Sequence, residues 1–203
     1  GYGNTAIGDS SLANTSTGAY NIGIGHLVLK DNTSGDNNIA LGYYAVNSNT
    51  TGTQNIGIGG FANYANTTGS NNIGIGYEAL NFNGAYSNNI AIGSAAGKYY
   101  SAWNQPALNL SDNIFIGVNA WPLGSSDANE IVIGNSTATN VGAVGLGSNS
   151  TSIGNTKTLQ SRIYGALTVV PNTATGAGNS STIEAQAGGT GAAGGSLTLK
   201  AGN

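Results

Sequence analysis

The chain repeats one short motif at a constant interval of seventeen residues, and this interval limits the fold more than any other feature. The motif reads Asn-Ile-x-Ile-Gly, and a weaker copy begins at Asn4. After the copy at Asn89 the interval widens once, by seven residues, reaching Asn113, and it then returns to its usual length at Glu130. The residues that define the repeat are Asn21, Ile22, Ile24, Gly25, Asn38, Gly42, Asn55, Gly59, Asn72, Gly76, Asn89 and Gly93. A fixed period of this length indicates stacked structural units.

Each repeat carries two further elements in the same register. An apolar pair, such as Val28-Leu29 or Ala45-Val46, begins three residues after the motif glycine. A second glycine lies ten residues after the same motif glycine. The motif alternates as a strand does, and the apolar pair predicts a second, shorter strand. Glycine and Asn-Thr-Thr-Gly segments favour the turns between them. The sequence therefore predicts an all-β, parallel β-solenoid or β-roll built from 17-residue coils.

The alternation also predicts which side chains share a face. Isoleucines such as Ile22 and Ile24 are expected on one side, while the residue between them is glycine or alanine in successive repeats. We expect equivalent strands to stack in parallel about 4.8 Å apart, so eight coils span roughly 38 Å. The small residues predict a smooth outer stripe that lets another chain approach closely, which suggests an intertwined homotrimer. The stripe comprises Gly23, Ala40, Gly57, Gly74 and Ala91.

Composition excludes several classes of protein. Charged residues make up 6% of the chain, against about 25% in average proteins. Five Lys and Arg residues in total leave no basic patch for a nucleic-acid backbone. No apolar run approaches the roughly 20 residues of a membrane span, so membrane insertion is not expected. The chain has no cysteine, which removes disulfides, thiolate metal sites and cysteine nucleophiles.

The residues that carry out catalysis are scarce. His26 is the single histidine, and it follows a motif glycine where a turn residue needs no catalytic explanation. Asp31 and Asp36 share one turn and offer a weak Ca²⁺ site, and Glu130 could form a ring of carboxylates around a trimer axis. Neither idea has a full ligand set in the sequence. The sequence therefore predicts no enzyme activity, no cofactor and no resident metal.

At the repeat itself the chain resembles a known family. The Asn-x-Ala/Gly-Ile-Gly motif, followed by Ala-Leu and then Asn-Thr-Thr-Gly, resembles the head repeats of trimeric autotransporter adhesins and, more closely, the repeats of bacteriophage tail fibres. Later segments also resemble phage fibre sequence: Ile133–Ser136, Ser152–Thr156, Arg162–Val169 and Gly194–Gly202. The related adhesin repeat is usually shorter, so the longer period here favours the fibre. No coiled-coil stalk or membrane anchor, as an adhesin would have, is visible in the sequence.

The resemblance implies a homotrimeric β-roll that forms part of a virion tail fibre. Its expected partners are further copies of itself and a host cell-surface glycan or protein receptor. A bacterial trimeric surface adhesin or a self-assembling extracellular filament is the alternative, located outside the cell or on its surface. A solenoid that binds ice is disfavoured because threonine occupies turns rather than alternating strand positions, and a glycan-cleaving fibre has no carboxylate spacing in its favour.

Departures from the repeat divide the chain into three parts. Residues 1–137 are predicted to form the regular β-roll, with an insertion at 97–112. Residues 138–170 contain shortened coils and a strand, and residues 171–203 form a Gly/Ala-rich β segment that continues the fibre.

The insertion and the turn of the next coil concentrate aromatic and amide side chains. Flat rings beside amide donors suit the faces of carbohydrates, so the candidate ligand or receptor contacts are Tyr99, Tyr100, Trp103, Gln105 and Trp121. The alternative is an insertion that closes the end of a coil or fills a contact between subunits.

Overall fold

The fold is a stack of coils that share one parallel sheet. A computed structural model describes residues 1–81, 84–98, 111–122, 128–135 and 151–153. Within these ranges every regular element is a three-residue strand and no helix occurs. The strands are β1 (Thr5–Ile7), β2 (Ile22–Ile24), β3 (Ile39–Leu41), β4 (Ile56–Ile58), β5 (Ile73–Ile75), β6 (Ile90–Ile92), β7 (Ile114–Ile116), β8 (Ile131–Ile133) and β9 (Thr151–Ile153). Their order in the sheet follows their order in the chain, which confirms the predicted parallel β-solenoid.

The register of the sheet carries each motif position onto its equivalent one coil later. Ile22 pairs with Ile39, and Ile39 pairs with Ile56. The coil that is seven residues longer keeps this register, because Ile90 pairs with Ile114. All described residues lie in the first of the two compact units of the chain, Gly1–Ser161. The domain boundaries expected after residues 137 and 170 fall outside the described ranges and stay predictions.

The alternation along each strand is confirmed, but the predicted sides are wrong. Ala40 and Ala91 are fully buried, so the stripe of small residues lines the interior rather than the outside. Ile39 and Leu41, on either side of Ala40, expose 37% and 44% of their surface. The small residues therefore cannot form the smooth outer interface that the sequence suggested, and the large aliphatic residues lie outside instead.

The interior is thin, and this explains the reversal. Each coil is filled by the middle residue of its strand and by the apolar pair on the opposite wall. A Cβ on Gly57 would lie 2.5 Å from Cγ2 of Val46, so glycine is the residue that fits beside this large opposing side chain without a shift. Where the strand instead supplies Phe115, the opposing residue is Gly97, whose added Cβ would lie 2.8 Å from the phenyl ring. Where one wall of the coil supplies a large residue, the facing wall supplies a small one, and this keeps the interior close-packed.

The predicted second strand is also wrong. The apolar pair lies in a turn whose second residue is left-handed, with φ of 45° at Leu29 and 50° at Val46. A β-branched residue seldom takes this conformation. The turn is held by hydrogen bonds between coils, as where the Val46 amide donates to the Ala62 carbonyl at 2.9 Å. Burial of the side chain in the core offsets the local strain, which costs of order 1–3 kcal/mol per residue.

Two ladders of buried asparagines run through the stack. In the first, which contains the motif asparagines, the side-chain oxygen of each residue accepts the backbone N–H of the next, as between Asn38 and Asn55 at 2.9 Å. The second ladder comprises Asn32, Asn49 and Asn66. The side-chain nitrogens of Asn49 and Asn66 each donate to the side-chain oxygen of the asparagine one coil earlier.

The ladders meet at the glycine that follows the Thr-Thr turn. The Gly69 carbonyl accepts from Asn55 Nδ2 at 2.8 Å and from Asn66 Nδ2 at 2.9 Å. Glu130 takes the place of asparagine at the end of the first ladder. Its backbone N–H donates to Asn113 Oδ1 at 2.8 Å. Because the Glu130 side chain is buried within its own coil, the expected carboxylate ring around an external axis is wrong.

The motif glycines form a column in which no larger residue fits. Gly59 has φ of +124°, a region that favours glycine, and a Cβ there would lie 2.6 Å from the carbonyl oxygen of Gly76. The same close approach of backbones recurs at each motif glycine from Gly8 to Gly117. The fifth position of the motif is therefore fixed by the distance between coils.

Candidate interaction surfaces

The outer face of the sheet is a continuous aliphatic surface, here named the isoleucine face. It consists of the first and third residues of β2–β8, with Ile7 and Ile153 at its two ends. In β2–β8 these fourteen positions are all isoleucine except Leu41. Six of them, Ile22, Ile39, Leu41, Ile92, Ile116 and Ile133, expose 37–44% of their surface. Parallel pairing in register aligns them into two columns, one for each outward position of the strand.

The size of this surface sets it apart from scattered exposed side chains. Three residues across and eight coil steps along give a flat area of about 400 Å². The largest apolar patch on a typical monomer is about 300–600 Å² and is often functional. No charged residue occupies an outward position of β1–β9. The isoleucine face is therefore suited to contact with another apolar surface.

A second surface follows the corner where each coil leaves the sheet. Six rings, here named the aromatic strip, lie close together over four successive coils. They are His26, Tyr43, Tyr44, Phe61, Tyr64 and Tyr77. Neighbouring ring centroids are 4.5–6.2 Å apart, within the range of favourable aromatic pairs.

The strip is ordered into two columns of rings. In the outer column, directly after the motif glycine, His26 and Tyr43 stack at 8° between planes. In the inner column, one residue later, Tyr44 and Phe61 stack at 12°. The columns meet edge to face, as where Tyr43 contacts Phe61 at 5.3 Å and 82°.

The predicted aromatic platform is only partly visible. Tyr99, Tyr100, Trp103 and Gln105 lie outside the described residues, so their role stays a prediction. Trp121 is half-buried, and its indole nitrogen donates to the Ala95 carbonyl at 3.1 Å. This hydrogen bond holds Trp121 against the coil that contains β6.

The polar side chains of the strip region form pairs rather than a catalytic arrangement. His26 Nε2 lies 3.2 Å from Asp9 Oδ2, and the Ser10 hydroxyl donates to the same oxygen at 3.4 Å. In a serine–histidine–carboxylate triad the histidine lies between the other two groups, whereas here both contact the carboxylate. Lys98 Nζ lies 2.6 Å from Glu78 Oε2.

Metal-binding clusters and membrane-spanning helices do not occur in the part of the chain that the structure describes. Over these ranges, no group of three or more histidine, cysteine or acidic side chains is arranged to hold a metal ion. The same ranges contain no helix long and apolar enough to cross a bilayer.

The aromatic strip was missed by the sequence analysis, although its signal is present. When repeats are aligned on the motif glycine, a ring occupies at least one of the next two positions in each of the coils that follow Gly25, Gly42, Gly59 and Gly76. Ligand sites were expected where the repeat breaks, whereas the strip lies where the repeat is most regular. Compared with known protein families, curated proteins and solved structures, the chain matches none.

Proposed function

We propose that the chain is a structural segment of an extracellular fibre, of the bacteriophage tail-fibre type, that assembles as a homotrimer and takes part in recognition of the host surface. The isoleucine face is the observation that carries this proposal. A bacterial trimeric adhesin or an extracellular filament would use the same face, and the resemblance of the repeats to phage fibres favours the first interpretation.

The energetics support burial of the isoleucine face against other copies. Completing the burial of a side chain that is two-fifths exposed contributes about 0.6–1.2 kcal/mol. The six most exposed residues of β2–β8 alone then contribute roughly 4–7 kcal/mol per chain. Three faces together contribute roughly 12–21 kcal/mol, which is comparable with the cost of the two associations that form a trimer, each estimated at about 4–15 kcal/mol.

Geometry favours three chains arranged side by side. Each strand presents two outward side chains, so one column can contact each of two neighbours around a threefold axis. Because all coils stack in one direction, an axis parallel to the stack brings the same coil of each chain together. Closed cyclic symmetry of this kind leaves no face exposed for unlimited growth.

The mass in solution, measured by light scattering, tests the assembly. We expect three times the chain mass of 20.1 kDa for the unaltered protein. The double variant Leu41→Glu/Ile92→Glu should have the mass of one chain and an unchanged circular dichroism spectrum, because carboxylates cannot be buried without partners.

The matched control is Thr68→Glu, which adds a carboxylate at an exposed turn position outside the isoleucine face. It should keep the mass of three chains. An unaltered protein of 20.1 kDa, or a double variant that still forms trimers, would rule out the isoleucine face as the interface.

A further inference from the structure

We propose that the aromatic strip binds a neutral, pyranose-containing glycan. The biological meaning of this site, as the host-recognition element, rests on the fibre function proposed above. The binding itself rests only on the geometry of the strip.

The rings of the strip lie outside the hydrophobic core. The core around these coils is formed by other residues, among them Val28, Leu29, Ala45 and Val46. Tyr43 and Tyr77 expose 50% and 55% of their surface. The outer rings are therefore not required to fill the coil, and about half of the surface of Tyr43 and of Tyr77 is open to a ligand, while one face of Tyr43 is stacked on His26.

The inner column makes the outer column rigid. The half-buried Phe61 contacts Tyr43 at 5.3 Å on one side and Tyr77 at 6.2 Å on the other, edge to face in both cases. Tyr64 closes the inner side by contacting Tyr44 and Phe61. A platform that is ordered before the ligand arrives loses less entropy on binding.

The outer column lacks one side chain, and the ring of Tyr77 covers the position that it leaves. Gly60 occupies the outer position between Tyr43 and Tyr77, and the Tyr77 ring passes 3.4 Å from where its Cβ would be. The rise of one coil, about 4.8 Å, is close to the length of one pyranose unit. Tyr43, Phe61 and Tyr77 come from three successive coils, so a glycan that runs along the stack passes the exposed rings of Tyr43 and Tyr77 with the half-buried ring of Phe61 between them.

The polar groups of the strip suit a sugar that carries no charge. Tyrosine hydroxyls at the rim can donate to and accept from sugar hydroxyls. Tyrosine hydroxyls are protonated at neutral pH because their ordinary pKa is about 10, and burial, together with the adjacent phenol of Tyr43, raises the pKa of Tyr44 further. The nearby cation of Lys98 is paired with Glu78, and the chain has a net charge of −3. An anionic glycan therefore finds little attraction here.

Two other roles for the strip would give different results in the same experiment. The rings could form the rim of the contact between subunits, or they could stabilise the corner of the coil without binding anything. The first role predicts that removing outer rings lowers the mass of the assembly, and the second predicts that no sugar binds.

Calorimetry and ligand-observed NMR with cellotetraose, chitotetraose and galactotetraose, together with light scattering of each variant, test the proposal. We expect the unaltered protein to bind at least one of these neutral tetrasaccharides. The double variant Tyr43→Ala/Tyr77→Ala should have an affinity for that sugar at least tenfold lower than the unaltered protein. The double variant Tyr43→Phe/Tyr77→Phe keeps the rings, and its affinity should stay within about threefold of the unaltered protein. An anionic control, oligogalacturonate, should bind more weakly.

The matched control is Tyr20→Ala. Tyr20 is 53% exposed, like the strip tyrosines, but it lies away from the strip and contacts Tyr2. Its replacement should leave binding unchanged. No binding to any neutral tetrasaccharide, equal loss in the Tyr20 variant, or a lowered mass of the Tyr43→Ala/Tyr77→Ala protein would each overturn the site.

The result separates this site from the assembly proposed above. If the protein is a monomer and still binds a tetrasaccharide through Tyr43 and Tyr77, the binding site is supported and the proposed trimer is ruled out. If the protein is a trimer and binds none of the sugars, the proposed assembly is supported and the binding site is ruled out.

Discussion

Asn55→Ala is expected to lower the free energy of unfolding by about 3 kcal/mol or more, because it breaks a ladder of buried hydrogen bonds. The Asn55 oxygen accepts from both the backbone nitrogen and the side-chain nitrogen of Asn72, each at 3.1 Å. Alanine leaves the buried backbone N–H of Asn72 without this acceptor, which costs about 1–3 kcal/mol. The Asn72 side-chain nitrogen loses one hydrogen bond and keeps the one to the Tyr86 carbonyl at 2.7 Å. The Gly69 carbonyl also loses one of its two donors.

Thermal unfolding followed by circular dichroism measures the effect, at equal chain concentration because assembly shifts the melting temperature. A loss of about 3 kcal/mol corresponds to roughly 6–12 °C for a chain of this length. The control is Asn14→Ala, at an exposed position where the side-chain nitrogen donates to the Asp31 carboxylate at 3.1 Å. It should change stability by no more than about 0.5 kcal/mol. Equal losses at both positions would show that the buried ladder has no special role.

Gly59→Ala is expected to destabilise the protein by about 2–5 kcal/mol, from backbone strain and overlap combined. The φ of +124° at Gly59 is a conformation that alanine rarely adopts, and its Cβ would lie 2.6 Å from a backbone oxygen of the next coil. Coils cannot move apart at this point without breaking the adjacent pairs of the sheet. The change is measured in the same thermal unfolding experiment.

The adjacent glycine provides the control for this prediction. Gly60 does not have a positive φ, and the nearest atom to its added Cβ is a ring carbon of Tyr77 at 3.4 Å. Gly60→Ala should therefore be neutral, or stabilising by up to about 1 kcal/mol through the unfolded state. If Gly60→Ala lowers the melting temperature as much as Gly59→Ala, the close approach of coils is not the cause.

The period of the sequence was enough to predict the stacking. Because equivalent residues recur at a constant interval, parallel pairing in register is the arrangement that satisfies all repeats at once. The pairing of Ile22 with Ile39 and the contact of Asn21 with Asn38 both follow from that rule. The longer coil did not disturb it, since the strand that begins at Ile114 returns to the same register.

The side of the sheet that faces the core could not be predicted from the same pattern. Isoleucine is usually buried, so the prediction placed Ile22 and Ile24 inside and Gly23 outside. A coil with a single short strand has too little width for two facing rows of large residues. The apolar pair on the opposite wall occupies that width, and only its unpredicted left-handed conformation at residues such as Leu29 brings it there.

The candidate binding residues fall into two groups: those predicted where the repeat is interrupted, and those of the aromatic strip, which lie within the regular repeats. Breaks in the pattern directed attention to the aromatic residues near Trp103, which lies outside the described residues. The aromatic strip instead arises from positions such as Tyr43 and Phe61, which are separated in the sequence by one full coil and one further position. Only the stacking distance between coils, rather than local spacing, brings these rings within 5.3 Å.

The longer coil between β6 and β7 has a practical consequence for protein engineering. Seven additional residues enter the chain there, yet Ile90 and Ile114 pair in the register of every other coil. Lengthening a loop costs little, about 0.6 kcal/mol for each doubling. We therefore expect that further residues inserted between β6 and β7 leave the register of the sheet unchanged, which makes this connection the place to graft an epitope or an enzyme recognition sequence.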